Sequence, residues 1–175
     1  PRADAWASES LIRLPGCFLC YRPPVDAPDP RDPDPDRPYT FGSFNDLRKL
    51  SASNLETWAA ILRDCPDAIL LLKSSRLAHE PVRKELHQRF ASRGIDTARV
   101  ELMGRTDTVH EHLDLYNCID CALDTFPYTG TTTTCEAMHM GVATITLLGA
   151  SHAGRVSASL LHAAGCPEDI CEDRD

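Results

Sequence analysis

The sequence lacks the features of a membrane protein and of a nucleic-acid-binding protein. No run approaches the roughly 20 apolar residues that a membrane span needs, and no charged and then apolar leader opens the chain. The net charge is −8, whereas binding to a phosphate backbone requires clustered lysines and arginines. We therefore expect a soluble, cytoplasmic protein that binds neither nucleic acid nor a membrane. Because the chain starts at Pro1 without a methionine, we also expect it to be a fragment.

The two commonest nucleotide-binding motifs are missing as well. The sequence contains neither a Walker motif nor a G-x-G-x-x-G fingerprint. Their absence disfavours the common ATP-binding and NAD-binding folds. A nucleotide site in this chain would have to be built from other residues.

Eight cysteines are present, and four of them form two C-x-x-C pairs, Cys17/Cys20 and Cys118/Cys121. Two such pairs can bind zinc. These two are about a hundred residues apart, and the second lies in an apolar run that we interpret as a strand, where Cys118 and Cys121 would face opposite sides. We favour buried thiols in a reducing cytoplasm and no metal site, with zinc or a redox pair as the alternative.

The chain divides into three segments by composition. Residues 1–24 precede the main domain and include a short apolar stretch. Residues 25–38 read VDAPDPRDPDPDRP, a Pro/Asp tract that we expect not to pack and to form an extended or disordered linker. A domain is expected over residues 39–175, incomplete at its carboxyl end.

Strand patterns alternate with helix patterns along that domain. Strands are predicted at 39–44, 68–73, 99–103, 119–123 and 144–148. The first helix is predicted at 53–63, with Ser53 as its N-cap and Glu56 completing a capping box. Others are predicted at 81–93, 110–117, after the Thr run, and at 154–164. This alternation predicts an α/β fold with a Rossmann-like, doubly wound parallel sheet of about five strands.

Ligands of such sheets bind at the carboxyl ends of the strands, where the richest turn here is DTFPYTGTTTT, residues 124–134. Gly130 permits a tight turn or a close backbone approach. Residues 131–134, all threonines, offer backbone N–H groups and hydroxyls at a helix start, which is a ready anion site and suits a diphosphate. The alternative is that one threonine is an N-cap and the others fill a buried turn.

Three further side chains are candidates for this site. Glu136 lies one turn into the helix and could accept from ribose hydroxyls, or it could be a carboxylate near the positive end of the helix dipole. Lys49 follows the first strand's turn and could reach a phosphate, although a lone lysine is usually solvated. His112 is either a site residue or a surface helix residue.

These segments, in this order, resemble a known family. FGSFNDLRKLS, LDTFPYTGTTTTCEA and HAGRVSASLLHAAG are similar to the carboxyl-terminal catalytic half of the O-linked N-acetylglucosamine transferases. The resemblance is closer to the bacterial tetratricopeptide-linked members and the plant Spindly proteins, and it covers about residues 8–170. It implies the C-terminal lobe of a GT-B glycosyltransferase, in which a nucleotide-sugar lies between two Rossmann-like lobes.

The resemblance also implies roles for individual residues. It assigns donor binding to Lys49, Gly130, Thr131, Thr132, Thr133 and Glu136. Lys49 would stabilise the leaving diphosphate as a catalytic residue, Glu136 would hold the ribose, and His112, also assigned a catalytic role, would lie near the nucleotide. Thr131 stands where the animal enzymes have His, and Asp46 stands where they have Gln beside the diphosphate.

The implied activity is inverting transfer of N-acetylglucosamine from UDP-N-acetylglucosamine to Ser or Thr of an acceptor protein. It would need no metal and no cofactor. The lobe that holds the family's proposed base histidines, and the tetratricopeptide repeats that select acceptors, lie outside this chain. We expect the isolated lobe to bind nucleotide weakly and to transfer nothing. The alternatives are protein O-fucosylation from GDP-fucose, and a catalytically inactive nucleotide-binding or scaffold fragment.

Overall fold

The computed structural model describes residues 3–13 and 15–174, and Pro1, Arg2, Leu14 and Asp175 lie outside that part. Its centre is a six-stranded sheet in which every neighbouring pair of strands is parallel. The strands are β1 Thr40–Ser43, β2 Ile69–Lys73, β3 Val100–Met103, β4 Cys121–Leu123, β5 Ala143–Leu147 and β6 Ile170–Cys171. The five predicted strands are confirmed, and the sequence pattern missed only the two-residue β6.

The strand order is β3-β2-β1-β4-β5-β6, the order of Rossmann folds. The chain adds β2 and β3 on one side of β1 and then returns to place β4 on the other side. The order therefore reverses between β1 and β4, and a crevice at such a switch point is where open α/β sheets bind ligands. The turns that follow β1 and β4 are the ones that carry Lys49 and Gly130.

Six α-helices occur in the described part of the chain. They are α1 Ala3–Trp6, α2 Ala52–Asp64, α3 Glu80–Ala91, α4 Val109–Asp114, α5 Thr132–His139 and α6 Val156–Ala164. The helix α6 ends at Gly165 as predicted, because that glycine adopts the left-handed conformation, with φ of 84°.

The predicted cap of α2 is wrong by two residues. Its N-cap is Ser51, whose hydroxyl accepts from the backbone N–H of Asn54 at 3.1 Å. The Asn54 side-chain oxygen accepts in return from the Ser51 N–H at 2.9 Å. This is a capping box in which an amide replaces the usual Glu or Gln, so the S-x-x-E pattern at Ser53 and Glu56 predicted the wrong start.

The two faces of the sheet are both buried, as the continuous apolar run of β2 predicted. Leu70 and Leu72 point into a core formed with α2 and α3, whereas Leu71 points into a second core. The second core is formed with α4 and α5 and contains the fully buried Tyr116. Alternate strand residues thus face opposite helical layers, which confirms a doubly wound sheet.

The Pro/Asp tract packs against the domain, contrary to our expectation. Arg37 forms a two-pronged ion pair with Asp120 at 2.6 and 2.8 Å, and Arg31 bonds Asp114 at 2.7 Å. The segment contains neither helix nor strand. Composition misled us because the ion pairs of Arg31 and Arg37 add to the packing of Ala27 against the second core.

The cysteine interpretation needs two corrections. Cys118 lies in a 3₁₀ turn before β4, not in the strand, so Cys118 and Cys121 do not share a strand. Four cysteines are exposed and only two are buried, Cys121 and Cys135. Within residues 3–13 and 15–174 no group of three metal-ligating side chains occurs, and no helix is long and apolar enough to cross a membrane.

Candidate functional site

A buried carboxylate organises the turn between β4 and α5. Asp124 follows β4 directly and is 5% exposed. Its Oδ1 accepts from the backbone N–H groups of Thr125 at 2.8 Å and Gly130 at 2.7 Å, and its Oδ2 accepts from the Thr146 hydroxyl at 2.8 Å. Burial raises the pKa of Asp124, and these hydrogen bonds oppose the rise. The carboxylate therefore folds the turn back on itself and brings Gly130 to the start of α5.

Gly130 is required by its close contacts with that carboxylate. A Cβ on residue 130 would lie 3.1 Å from Asp124 Oδ1 and 2.9 Å from Thr133 Oγ1, and closer still to Thr134 Oγ1. The backbone conformation does not demand glycine, since Gly130 is not among the positive-φ residues. Lack of space, rather than torsional strain, excludes a side chain here.

The four threonines have different surroundings, and none of them caps the helix. Thr131 occupies the N-cap position, but its side chain makes no capping hydrogen bond. Thr133 donates to Asn45 Oδ1 at 3.1 Å, and Thr134, which is buried, bonds the Ser157 hydroxyl at 2.8 Å. Thr132 is exposed. The interpretation of one threonine as an N-cap is therefore not supported. As at every helix start, the first backbone N–H groups of α5 have no acceptor within the helix, and no threonine side chain caps them.

Lys49 lies in the short 3₁₀ turn after β1, and its side chain contacts the turn between β4 and α5. Its ammonium donates to the carbonyl of Thr129 at 2.9 Å and to Asn45 Oδ1 at 3.3 Å, and it lies 4.4 Å from the centre of the Tyr128 ring. Burial lowers the pKa of Lys49, and the nearby carboxylates of Asp124 and Asp46 oppose that shift. The lysine is thus half-buried beside Gly130, and the interpretation of a solvated surface lysine is wrong.

Asp46 does not add an uncompensated charge to the site. Its carboxylate accepts from the backbone N–H of Arg48 at 2.9 Å and from the guanidinium at 3.0 Å. The Arg48 hydrogen bonds lower the pKa of Asp46. The aspartate therefore caps the short 3₁₀ turn Leu47–Lys49 and is paired with Arg48.

Glu136 and His112 are brought together, one turn into α5. His112 Nε2 lies 3.0 Å from Glu136 Oε2, and both side chains are mostly buried, 19% and 12% exposed. The Tyr116 hydroxyl shares its proton between the Thr133 carbonyl at 3.1 Å and the same Glu136 oxygen at 3.3 Å. On its other nitrogen, His112 is in hydrogen-bond contact with the ammonium of Lys73 at the end of β2. His112 is therefore not a free surface histidine.

The loop after β5 supports the turn from behind. The Thr129 N–H and hydroxyl both donate to the carbonyl of Ala153, at 3.0 and 2.9 Å. The Ser157 hydroxyl donates to the Gly130 carbonyl at 3.1 Å. A Cβ on Gly154 would lie 2.8 Å from the Pro127 carbonyl oxygen. The two loops are thus packed together without room for a larger residue.

The structure places all the sequence-predicted site residues at one edge of the sheet. Lys49, Gly130 and the threonines surround the start of α5, whereas Glu136 and His112 form a second group one turn further on. Beneath them lies a cavity of about 10 Å³, lined by residues that include Asn45, Asp124 and Thr133. That volume holds about one water molecule.

Sequence reasoning missed Asp124, Asn45 and Lys73. Lys73 is the last residue of a predicted strand and Asp124 directly follows another, and a polar residue at the carboxyl end of a strand was the signal that could have identified them. Asn45 follows β1 and bonds Asp124, Lys49 and Thr133. Nothing in the local sequence around Asn45 indicates these long-range contacts.

Comparison with known proteins adds similarity over nearly the whole chain. The family description that matches is "Glycosyl transferase family 41", over residues 32–175. A similar curated protein is the "Probable UDP-N-acetylglucosamine--peptide N-acetylglucosaminyltransferase SPINDLY" of Arabidopsis thaliana, 39% identical over 95% of this chain and 18% of its own length. The "UDP-N-acetylglucosamine--peptide N-acetylglucosaminyltransferase" of Caenorhabditis elegans is 33% identical over 80% of this chain and 12% of its own.

Solved structures of glycosyltransferases are also similar to this chain. A mutant of the Thermobaculum terrenum O-GlcNAc transferase matches with a TM-score of 0.92 and 37% identity, over 99% of this chain and 33% of that one. The C-terminal domain of a glycosyl transferase group 1 family protein from Francisella tularensis shares the fold, with a TM-score of 0.50 and 20% identity. The chain spans about a third of the length of the Thermobaculum protein and less than a fifth of the Arabidopsis relative.

Proposed function

This chain belongs to glycosyl transferase family 41, and from that premise we propose that it forms the donor-binding half of a protein O-glycosyltransferase. Membership confirms the resemblance found in the sequence, and the structural matches confirm the GT-B lobe that it implied. The observation that carries the proposal is the position of Lys49, whose ammonium bonds the Thr129 carbonyl at 2.9 Å beside Gly130 and the start of α5. A cation and a helix N-terminus meet there at the ligand edge of the sheet.

We propose that this place binds the diphosphate of a nucleotide-sugar. Lys49 supplies a full positive charge, and the N–H groups at the start of α5, with the exposed hydroxyl of Thr132, supply donors. The hydrogen bonds of Asp124 and Ser157 already fix the turn, so little ordering is needed when an anion binds. The proposal is thus supported by the geometry of residues that are distant from one another in the sequence.

The donor we propose is UDP-N-acetylglucosamine, because the relatives from Arabidopsis and Caenorhabditis carry that donor in their names. In the reaction, the bond between the anomeric carbon and the β-phosphate oxygen breaks. A new bond forms to the oxygen of an acceptor Ser or Thr on the opposite face, and the hydroxyl proton passes to a base in the missing lobe. Lys49 and the helix-end donors stabilise the negative charge that develops on the departing diphosphate. No metal is needed in this scheme.

Mass spectrometry of an acceptor protein tests the proposal. The full-length parent is incubated with UDP-N-acetylglucosamine or GDP-fucose, and the added mass and modified residue are identified. We expect N-acetylhexosamine on Ser or Thr, and Lys49→Met should abolish it. Transfer of a deoxyhexose from GDP-fucose would show that the donor is GDP-fucose and not UDP-N-acetylglucosamine. If neither donor is used but nucleotide still binds, the chain would instead belong to an inactive nucleotide-binding scaffold.

A further inference from the structure

Lys73 extends the donor site beyond the residues assigned above. It ends β2 and is half-buried, and its ammonium meets His112 Nδ1, while Nε2 of the same ring meets Glu136 Oε2 at 3.0 Å. The His112 ring packs beside both Phe44 and Tyr116, with centroid distances of 6.0 and 5.7 Å, and these two rings also contact each other at 4.6 Å. Three ionisable side chains from three elements thus form one fixed chain of contacts.

Chemistry sets the direction of these hydrogen bonds. Lys73 ends in an ammonium group, which has three N–H donors and no acceptor. An ammonium can only donate, so His112 Nδ1 accepts and the ring proton lies on Nε2. The Nε2–H group therefore donates to Glu136 Oε2. The pKa of Lys73 is lowered by burial, and Glu136 opposes that change.

One carboxylate oxygen of Glu136 is hydrogen-bonded within the protein, and the other can accept a hydrogen bond from a ligand. Glu136 Oε2 bonds His112 at 3.0 Å and shares the Tyr116 hydroxyl proton with the Thr133 carbonyl, whereas Oε1 has no hydrogen-bond partner among the described residues. Glu136 lies three and four residues after Thr133 and Thr132, so all three share one face of α5. A ligand whose phosphates lie at the threonines has its next group near Glu136. Lys73 also offsets the carboxylate charge, which would otherwise repel those phosphates.

We propose that Lys73 is a positioning residue for the ribose of the donor. Acting through His112, it fixes Glu136 so that Oε1 accepts a hydrogen bond from a ribose hydroxyl. This inference rests on the proposed function, because it needs a nucleoside diphosphate at the start of α5. The new element is that Lys73, which does not contact the sugar, gives the site a preference for ribose over deoxyribose through His112 and Glu136.

Affinities for matched nucleotides test this proposal in the full-length parent. Calorimetry compares UDP with its 2′-deoxy and 3′-deoxy analogues, or the corresponding GDP series if GDP binds more tightly. We expect wild type to bind the ribonucleotide about tenfold more tightly than at least one analogue, as for a hydrogen bond to a charged group. Lys73→Met should bring that ratio close to one. Lys84→Met, a lysine 71% exposed on α3, should leave it unchanged.

Two further variants separate the possible failures. His112→Phe keeps an aromatic ring beside Phe44 and Tyr116 but removes both ring nitrogens, so it should lose the same preference for ribose. It serves as the test if Lys73→Met does not fold. A preference that survives in the folded variants, or its absence from wild type, overturns the role of Lys73. Lys49→Met tests the proposed function separately, because an unchanged affinity for the diphosphate would refute that function whatever the ribose ratio.

Discussion

Replacing Gly130 with alanine perturbs the turn by a single methyl group. The added Cβ would lie 2.9 Å from Thr133 Oγ1 and 3.1 Å from Asp124 Oδ1. Neither oxygen can move freely, because Thr133 is bonded to Asn45 at 3.1 Å and Asp124 accepts from several donors. Overpacking of this kind costs about 1–3 kcal/mol, and we expect Gly130→Ala to lower the free energy of unfolding by that amount.

Gly104→Ala is the matched control. Gly104 also follows a strand at the same edge of the sheet, but its added Cβ would meet Ala78 at 3.4 Å, an ordinary contact. We expect a change within about 0.5 kcal/mol there. Urea denaturation of the two variants measures the difference, and titration with UDP or GDP should show weaker binding only for Gly130→Ala. Equal stability and equal affinity in the two variants would refute the tight packing at Gly130.

Two other predictions concern the pH dependence of binding and the cap of α2. Burial lowers the pKa of Lys49 from its ordinary 10.5, and only the ammonium attracts a diphosphate, so nucleotide affinity should fall as pH rises through that lowered pKa. Calorimetry at increasing pH tests this, and an equal fall in Lys49→Met would contradict it. Ser51→Ala should lower the free energy of unfolding by about 1 kcal/mol, whereas Ser53→Ala, at the exposed second residue of α2, should cause no loss. Thermal or urea denaturation distinguishes the two, and equal losses would contradict the cap observed at Ser51.

The layers of the fold could be predicted because their signals are local. The apolar run of β2 and the helical pattern of α2 each lie within a few consecutive residues. The two-residue β6 has no such signal, since a pattern needs several residues to repeat. The cap at Ser51 was missed because Asn54, an uncommon partner, completes its capping box.

The sequence located the turn at the start of α5 but did not reveal the residues that support this turn. Gly130 and the threonines form one continuous motif, so sequence alone located them. Asp124 and Asn45 act on that motif through hydrogen bonds between residues far apart in the chain, such as Asn45 to Asp124 across 79 positions. Lys73 is similar, because its contact with His112 joins β2 to α4 and depends on the packing of both. Such partners are defined by the fold, and no local pattern records them.

The affinity of the parent protein for UDP and GDP, with and without Lys49, tests the central claim most directly. In this account the Lys49 ammonium donates a hydrogen bond to the diphosphate and supplies a full positive charge there. A hydrogen bond to a charged group is worth about 1.5–3 kcal/mol. Calorimetry should therefore show about 10-fold to 100-fold weaker binding for Lys49→Met, and no change for the exposed control Lys84→Met. An affinity for both nucleotides that Lys49→Met leaves unchanged would contradict a diphosphate site at the start of α5.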